Sequence, residues 1–96
     1  MSKVNLIIVA KINPKESEAL THYLGNVGKL FEQVKAKPVG RYQISEASIG
    51  EYTPSAVTVV EFPNKEAVNE VFDSEAYKEL LPYREKAFTK LEAYIS

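Results

Sequence analysis

The sequence has no cysteine, no tryptophan, one histidine (His22) and one aspartate (Asp73), and these shortages exclude several kinds of site. Without cysteine there is no disulfide, no thiol nucleophile and no thiolate ligand. One His and one Asp are too few for a His/Cys metal site within one chain. We therefore expect a protein without a metal or other tightly bound cofactor.

Surplus charge and long apolar runs are also lacking. Twelve basic and thirteen acidic residues give a formal net charge of −1, which provides no positive surplus for nucleic acid or an anionic membrane. The apolar run Leu6–Ala10 is far shorter than the roughly 20 residues of a membrane helix, and no small-residue cleavage site follows it. We therefore expect a cytoplasmic protein that binds neither nucleic acid nor membrane.

What is present is sufficient for one folded domain. Hydrophobic residues make up 45% of the chain and charged residues 26%, as in ordinary globular proteins. A chain of 96 residues has room for one hydrophobic core. Residues 1–96 are therefore predicted to form a single domain.

Two segments, residues 4–12 and 56–62, have the composition of strands that are apolar on both faces. A strand with one wet face alternates apolar and polar residues, so both faces of this sheet should be covered. Residues 41–49 form a weaker pattern, typical of an edge strand, and residues 93–95 can supply a short last strand.

Helical segments separate these strands. Asn13 and Pro14 predict a helix that begins at Pro14, and Asn64 and Ser74 predict the starts of two further helical segments. Pro82 should kink or break the last one. The apolar stripe of the first helix is predicted to be Leu20, Leu24, Val27, Phe31 and Val34. The stripe of the last helical segment is predicted to be Tyr77, Leu80, Leu81, Phe88 and Leu91.

The order β-α-β-β-α-β is that of the α+β ferredoxin-like fold, a four-stranded antiparallel sheet with its helices on one face. The other face would then carry apolar side chains, namely Ile7, Val9 and either Val57 and Val59 or Thr58 and Val60. Monomeric proteins rarely expose apolar patches of more than a few hundred Å². The pattern therefore predicts a homodimer in which two sheets pack face to face.

Several short motifs are similar to those of one family. They are Gly40-Arg41-Tyr42, Gly50, Pro54, Val59-Val60-Glu61-Phe62-Pro63, Glu66-Ala67, Ser74-Glu75-Ala76-Tyr77, Pro82 and Arg84. With them the chain resembles the dimeric α+β barrel superfamily and, within it, the family of the domain of unknown function 1330. This resemblance implies a ferredoxin-like protomer whose sheet pairs with a second one into a barrel.

The resemblance implies no activity, because the family has none assigned. Relatives in the wider superfamily include cofactor-independent monooxygenases, small-molecule isomerases and haem-handling enzymes. The Trp and His residues that several of them use have no counterpart here, so their reactions do not transfer to this chain.

Four side chains are candidates for ligand binding: Arg84, Glu61, Tyr42 and Tyr83. Glu61 lies on an otherwise apolar strand and needs a partner or water. One interpretation is a structural ion pair between Glu61 and Arg84, and the other is a site for an anion or polar ligand in which Arg84 supplies a planar fork of donors. Tyr42 and Tyr83 either line a cavity or are half-buried with an exposed hydroxyl. His22 lies opposite the apolar stripe and is expected to be exposed.

Two functions remain open, since the sequence has neither a nucleophile elbow nor a glycine-rich phosphate loop. The first is a homodimeric α+β barrel that binds or transforms a small, partly apolar organic molecule without a tightly bound cofactor. The alternative is a non-catalytic dimeric module with a filled core. A cavity of about 300 Å³ or more between sheet and helices, lined by Tyr and Arg, would favour the first.

Overall fold

A computed structural model of the chain describes residues 3–96 and contains one antiparallel sheet with four helices. The elements are β1 (Val4–Ile12), α1 (Ser17–Gln33), β2 (Lys37–Gln43), β3 (Ala56–Phe62), α2 (Lys65–Phe72), α3 (Glu75–Lys78), α4 (Leu81–Ala87) and β4 (Phe88–Ile95). The strand order is β2-β3-β1-β4, so the two most apolar strands are central. This is the ferredoxin-like arrangement, and the predicted α+β fold is confirmed.

The register of the central strands separates two faces of the sheet. Leu6 lies opposite Val60, and both are buried beneath the helices. Because successive side chains point to opposite faces, the neighbouring pairs lie on the other side of the sheet. These pairs are Ile7 with Val59 and Val9 with Val57. Of the two sets left open by the sequence, Val57 and Val59 are therefore the ones on the open face.

The hydrophobic core fills the space between the helices and the covered face of the sheet. Phe62 is fully buried at its centre, with its ring edge-on to that of Phe31 at 5.4 Å between centroids. The buried members of this core are Leu6, Tyr23, Val27, Ala36, Val60, Phe62, Ala67, Val68, Val71, Tyr77 and Leu80. None of the helices found in residues 3–96 has the length and apolar character needed to cross a bilayer.

Helix α1 differs from the prediction in its start and in its buried face. Asn13 accepts a hydrogen bond from the backbone N–H of Lys15 at 3.1 Å, which forms a turn before the helix rather than capping it at Pro14. The buried residues are Ala19, Tyr23 and Val27. Leu24, which the stripe included, is 48% exposed. The prediction was wrong here because it did not include Ala19 and Tyr23 among the core positions.

The bounds of β2 and β4 also differ from the prediction. Strand β2 begins at Lys37, four residues before the predicted Arg41, after a turn in which Lys35 has a positive φ of 64°. Asn64 and Ser74 cap α2 and α3 as predicted, each accepting from a backbone N–H. Phe88 opens β4 instead of extending a helix, so this strand is longer than predicted.

Candidate ligand-binding site

Three polar side chains from three helices meet beneath the helical layer, and we call them the Tyr-Tyr-Arg cluster: Tyr23, Tyr77 and Arg84. The hydroxyl oxygens of Tyr23 and Tyr77 are 2.8 Å apart, a short hydrogen bond. Arg84 donates from Nη1 to the Tyr77 hydroxyl oxygen at 3.1 Å. Tyr23 is 6% exposed and Tyr77 3%, whereas Arg84 is partly exposed. The cluster is thus a buried phenol pair with a guanidinium group reachable from solvent.

Local structure holds each member in place. The Ser74 hydroxyl accepts from the backbone N–H of Tyr77 at 3.1 Å and starts α3, which orients the Tyr77 ring. Phe72 packs edge-on against Tyr77 at 4.8 Å between centroids, and Phe88 packs edge-on against Tyr23 at 5.5 Å. These aromatic contacts restrict both phenols and give the cluster apolar walls.

The cluster keeps the Tyr23 phenol protonated. Burial raises the pKa of the Tyr23 phenol above its ordinary value of 10.0, and the hydrogen bond and charge of Tyr77 raise it further. The positive charge of Arg84 acts in the opposite direction and lowers that pKa by less. Both desolvation and a phenolic neighbour disfavour a phenolate, so Tyr23 acts as a neutral hydroxyl.

Arg84 has no carboxylate partner within 4 Å in the part of the chain that the structure describes. Its contacts are the hydrogen bond to Tyr77 and the face of the same ring, whose centroid is 5.8 Å from Cζ. Partly buried guanidinium groups usually have a carboxylate or phosphate partner, because removal from water is costly for an uncompensated charge. This unpaired state is the most informative electrostatic feature of the cluster.

Glu61 is not the partner of Arg84. Its Oε1 lies 3.6 Å from Nζ of Lys3, in an exposed ion pair on the open face of the sheet. The helices pack against the other face, which carries the buried Val60 and Phe62. The interpretation of Glu61 and Arg84 as an ion pair that ties helix to sheet was therefore wrong. Sequence separation and composition alone did not reveal which face each side chain occupies.

The two candidate tyrosines also lie apart from each other. Tyr42 is 59% exposed on β2, opposite Val57 on the open face of the sheet. Its ring covers Gly40, where an added Cβ would approach the ring at 3.0 Å. Tyr83 is on α4 and stacks on His22 at 4.0 Å between ring centroids, at the surface of the helical layer. Of the four candidates, the structure brings only Arg84 and Tyr83 to the same helix.

A groove of about 440 Å³ runs between α1 and the α3–α4 segment. Leu30 and Leu80 give it apolar surface, and Tyr83 forms part of its wall. Ala76 and Tyr83, which line it, directly precede Tyr77 and Arg84 in the chain. A second, more open depression of about 380 Å³ lies on the first turns of α1 beside His22. Both are on the helical surface rather than between sheet and helices.

The open face of the sheet is an apolar surface with tyrosines at its two edges. One row across the sheet runs from Gly40 through Val59 and Ile7 to Tyr94, and the next runs from Tyr42 through Val57 and Val9 to Glu92. The four aliphatic side chains of these rows are only partly buried in the protomer. We call the surface formed by these two rows the open sheet face.

Sequence reasoning missed two members of the cluster as site residues. Tyr77 and Arg84 are seven residues apart, which is the spacing of one helix face, but Pro82 suggested that the helix is interrupted between them. Tyr23 precedes Val27 by four residues and so belongs to the same buried face. This spacing was the available signal for placing its hydroxyl in the core. Within residues 3–96 no three His, Asp or Glu side chains are grouped to hold a metal ion.

Comparison with solved structures shows the same fold in several proteins. A protein of unknown function from Rhodopseudomonas palustris, RPA0582, aligns with a TM-score of 0.87 at 20% identity, over 99% of this chain and 81% of its own. SnoaB from Streptomyces nogalater, a cofactor-independent oxygenase, aligns with a TM-score of 0.69 at 9% identity, over 100% of this chain and 92% of its own. At these identities the similarity shows the fold alone.

A third structure is described as dimeric. It is a protein of unknown function with a ferredoxin-like fold from Bacteroides fragilis, with a TM-score of 0.63 at 9% identity, over 100% of this chain and 96% of its own. A search of curated proteins found no match. The family model described as a domain of unknown function, DUF1330, matches residues 6–95. The resemblance seen in the motifs is therefore confirmed, and the chain belongs to the DUF1330 family.

Proposed function

We propose that this protein is a homodimer that binds a small, partly apolar organic molecule at the Tyr-Tyr-Arg cluster, without a tightly bound cofactor. The observation that carries the binding proposal is Arg84, a partly buried cation whose guanidinium has a phenol as its only hydrogen-bond partner within residues 3–96. A guanidinium in this state has binding capacity left for a ligand.

The open sheet face supports the homodimer. Ile7, Val9, Val57 and Val59 form a continuous apolar surface that the protomer's own helices do not cover. A second copy would cover it, since an identical face is equally apolar and of the same size. The Bacteroides fragilis protein, which has the same fold, is described as dimeric, and this agrees with a homodimer.

The groove supports an organic ligand rather than a simple ion. It lies between the same helices that supply the cluster, and its volume of about 440 Å³ is within the range of small-molecule sites. Leu30, Leu80 and Tyr83 offer surface for an apolar part of the ligand. Arg84 does not line the groove, but it follows Tyr83 in α4 and would orient the polar part of a ligand that extends from the groove to the cluster.

A second function, a non-catalytic dimeric module, is favoured by one observation. The space between sheet and helices is occupied by the core, in which Phe62 is fully buried and Leu6 and Val60 are almost fully buried. Neither of the two depressions is the predicted cavity between sheet and helices, because both lie on the helical surface. In this alternative the cluster is structural only.

A thermal-shift screen distinguishes the two functions. The purified protein is heated with aromatic acids, quinones and haem, because a ligand that binds the native state raises its Tm. The proposal expects at least one class to raise the Tm of the natural protein and to lose this effect in Arg84→Ala. The matched control is Arg41→Ala, since Arg41 is the chain's other arginine and is exposed on β2. If no class raises the Tm, the non-catalytic module is the better description.

A further inference from the structure

The hydrogen bonds of the Tyr-Tyr-Arg cluster leave several donors unused, and Arg84, its one charged member, can only donate. Two phenols carry two hydroxyl protons, and the bond between Tyr23 and Tyr77 uses one of them. Arg84 donates to the Tyr77 oxygen and has no acceptor of its own, so it cannot receive the second hydroxyl proton. Within residues 3–96 neither hydroxyl has a further partner, so one phenolic O–H has no acceptor.

The guanidinium adds to this surplus. Arg84 has five N–H donors in a planar fork, and one of them is used by the Tyr77 oxygen. The two phenols are nearly inaccessible to solvent, so water is a poor substitute partner for the remaining O–H. The unpaired cation and the spare donors therefore favour a ligand group that accepts hydrogen bonds and carries negative charge.

One assignment of the protons places the spare donors side by side. If Tyr23 donates to Tyr77, the Tyr77 oxygen accepts from both Tyr23 and Arg84, and its own proton is free next to the guanidinium. A carboxylate has two oxygens that can accept from an O–H and an N–H at the same time, and its charge matches that of Arg84. An amine would place a donor against donors and a second cation beside Arg84.

We propose that the Tyr-Tyr-Arg cluster binds the carboxylate of a small organic acid, with Arg84 and one phenol donating to its oxygens. This inference rests on the proposed function and names its ligand class. The apolar remainder of the acid would lie toward the groove, which is lined by Leu30 and Tyr83. Because the Tyr23 phenol stays neutral, it does not repel the acid.

Three probes with the same ring test the ligand class: benzoate, benzamide and benzylamine, which differ in charge and in donors. The chain has two arginines, so the side-chain Nε–H region of a ¹H–¹⁵N spectrum holds two signals, which Arg84→Lys and Arg41→Lys assign. We expect benzoate to shift the Arg84 signal and not that of Arg41. Arg84→Lys should weaken benzoate binding about tenfold, since it removes the fork and keeps the charge, and Arg41→Lys should not.

Two kinds of result would overturn the carboxylate inference. One is binding of benzamide or benzylamine at Arg84 as strong as that of benzoate, which leaves the proposed small-molecule site standing. The other is an equal shift of both arginine signals, or no shift of either, with benzoate. The wider screen then decides the proposed function separately, because a quinone or other neutral compound that raises the Tm and shifts Arg84 would support that function without a carboxylate.

Discussion

Arg84 donates to the hydroxyl oxygen of Tyr77 at 3.1 Å while its guanidinium lies 5.8 Å from the centre of the same ring. One aromatic residue thus provides both a hydrogen-bond acceptor and a polarisable surface for the cation. This relationship positions Arg84 without neutralising it. A carboxylate partner would have done the opposite, holding the side chain more strongly and occupying the donors that a ligand needs.

Replacement of Arg84 by Ala should therefore destabilise the protein only moderately. The variant loses one hydrogen bond and one cation–π contact, which together contribute about 1–2 kcal/mol. The measurement is the free energy of unfolding from denaturant titration, with Arg41→Ala as the exposed control. A loss of about 3–5 kcal/mol would instead indicate a buried carboxylate partner and contradict the contacts described here.

The two variants Tyr77→Phe and Tyr23→Phe should destabilise the protein by different amounts. Tyr77→Phe removes the acceptor of Arg84 and leaves the Tyr23 hydroxyl buried without a partner, which should cost about 1–3 kcal/mol. Tyr23→Phe leaves the bond between Arg84 and Tyr77 intact and should cost less.

The double variant provides the control for this comparison. Because both single changes break the same hydrogen bond, Tyr23→Phe combined with Tyr77→Phe should cost less than the sum of the two. Unfolding titrations of the four proteins measure this coupling. Strictly additive costs would mean that the two hydroxyls do not interact in solution.

The raised pKa of Tyr23 predicts how stability depends on alkaline pH. Below pH 10 the phenol is protonated in both the folded and the unfolded chain, so its contribution to stability is fully present. Above pH 10 the unfolded chain releases this proton while the folded chain retains it. The folded state then binds more protons, and stability falls as the pH rises through this range.

Comparison with Tyr23→Phe isolates this contribution, because the other five tyrosines and the lysines are present in both proteins. We expect the difference in unfolding free energy between the natural protein and Tyr23→Phe to change in favour of the variant above pH 10. Ultraviolet absorbance of phenolate gives a second readout, because Tyr23 should not form a phenolate until the protein unfolds. Full titration of all six tyrosines in the folded protein near pH 10 would contradict the burial of Tyr23.

The fold could be predicted from the sequence because its strongest signals are local. The apolar strands at residues 4–12 and 56–62 and the caps at Asn64 and Ser74 depend on neighbouring residues, and the structure has all of them. The end of α1 was harder to predict, because Lys35 adopts the positive φ that glycine usually provides. Phe88 was wrongly assigned to a helix, since its apolar side chain fits a helix stripe and a buried strand equally well.

The site was less predictable because it depends on contacts between distant elements. Arg84 was identified from the sequence, yet its assignment to Glu61 required both side chains to be on the same side of the sheet, and they are not. Tyr23 and Tyr77 are 54 residues apart in sequence, and no local pattern shows that their hydroxyls meet. Buried aromatic residues with a polar end require the tertiary structure before their partner can be named.

The open sheet face predicts a homodimer, and light scattering at micromolar concentration should give twice the protomer mass of 10.8 kDa. A stable interface buries at least about 1,200 Å². Val9→Asp places a carboxylate in the middle of this surface, opposite Val57 and Glu92, and should yield monomer or prevent folding. Asn69→Asp adds the same charge on the exposed side of α2 and should stay dimeric.

A variant that spares the core keeps the dimer prediction testable even if Val9→Asp does not fold. Tyr42 and Tyr94 are 59% and 52% exposed at the two edges of the open sheet face, so their replacement by Ser removes little that stabilises the protomer. In a face-to-face dimer the same rings would be buried, and their joint loss should increase the dissociation constant at least tenfold, since aromatic residues commonly dominate interface energies. Circular dichroism verifies the fold of each variant. A natural protein that scatters as a monomer, or a Tyr42→Ser, Tyr94→Ser variant that associates as tightly as the natural protein, would show that the open sheet face is not the site of pairing.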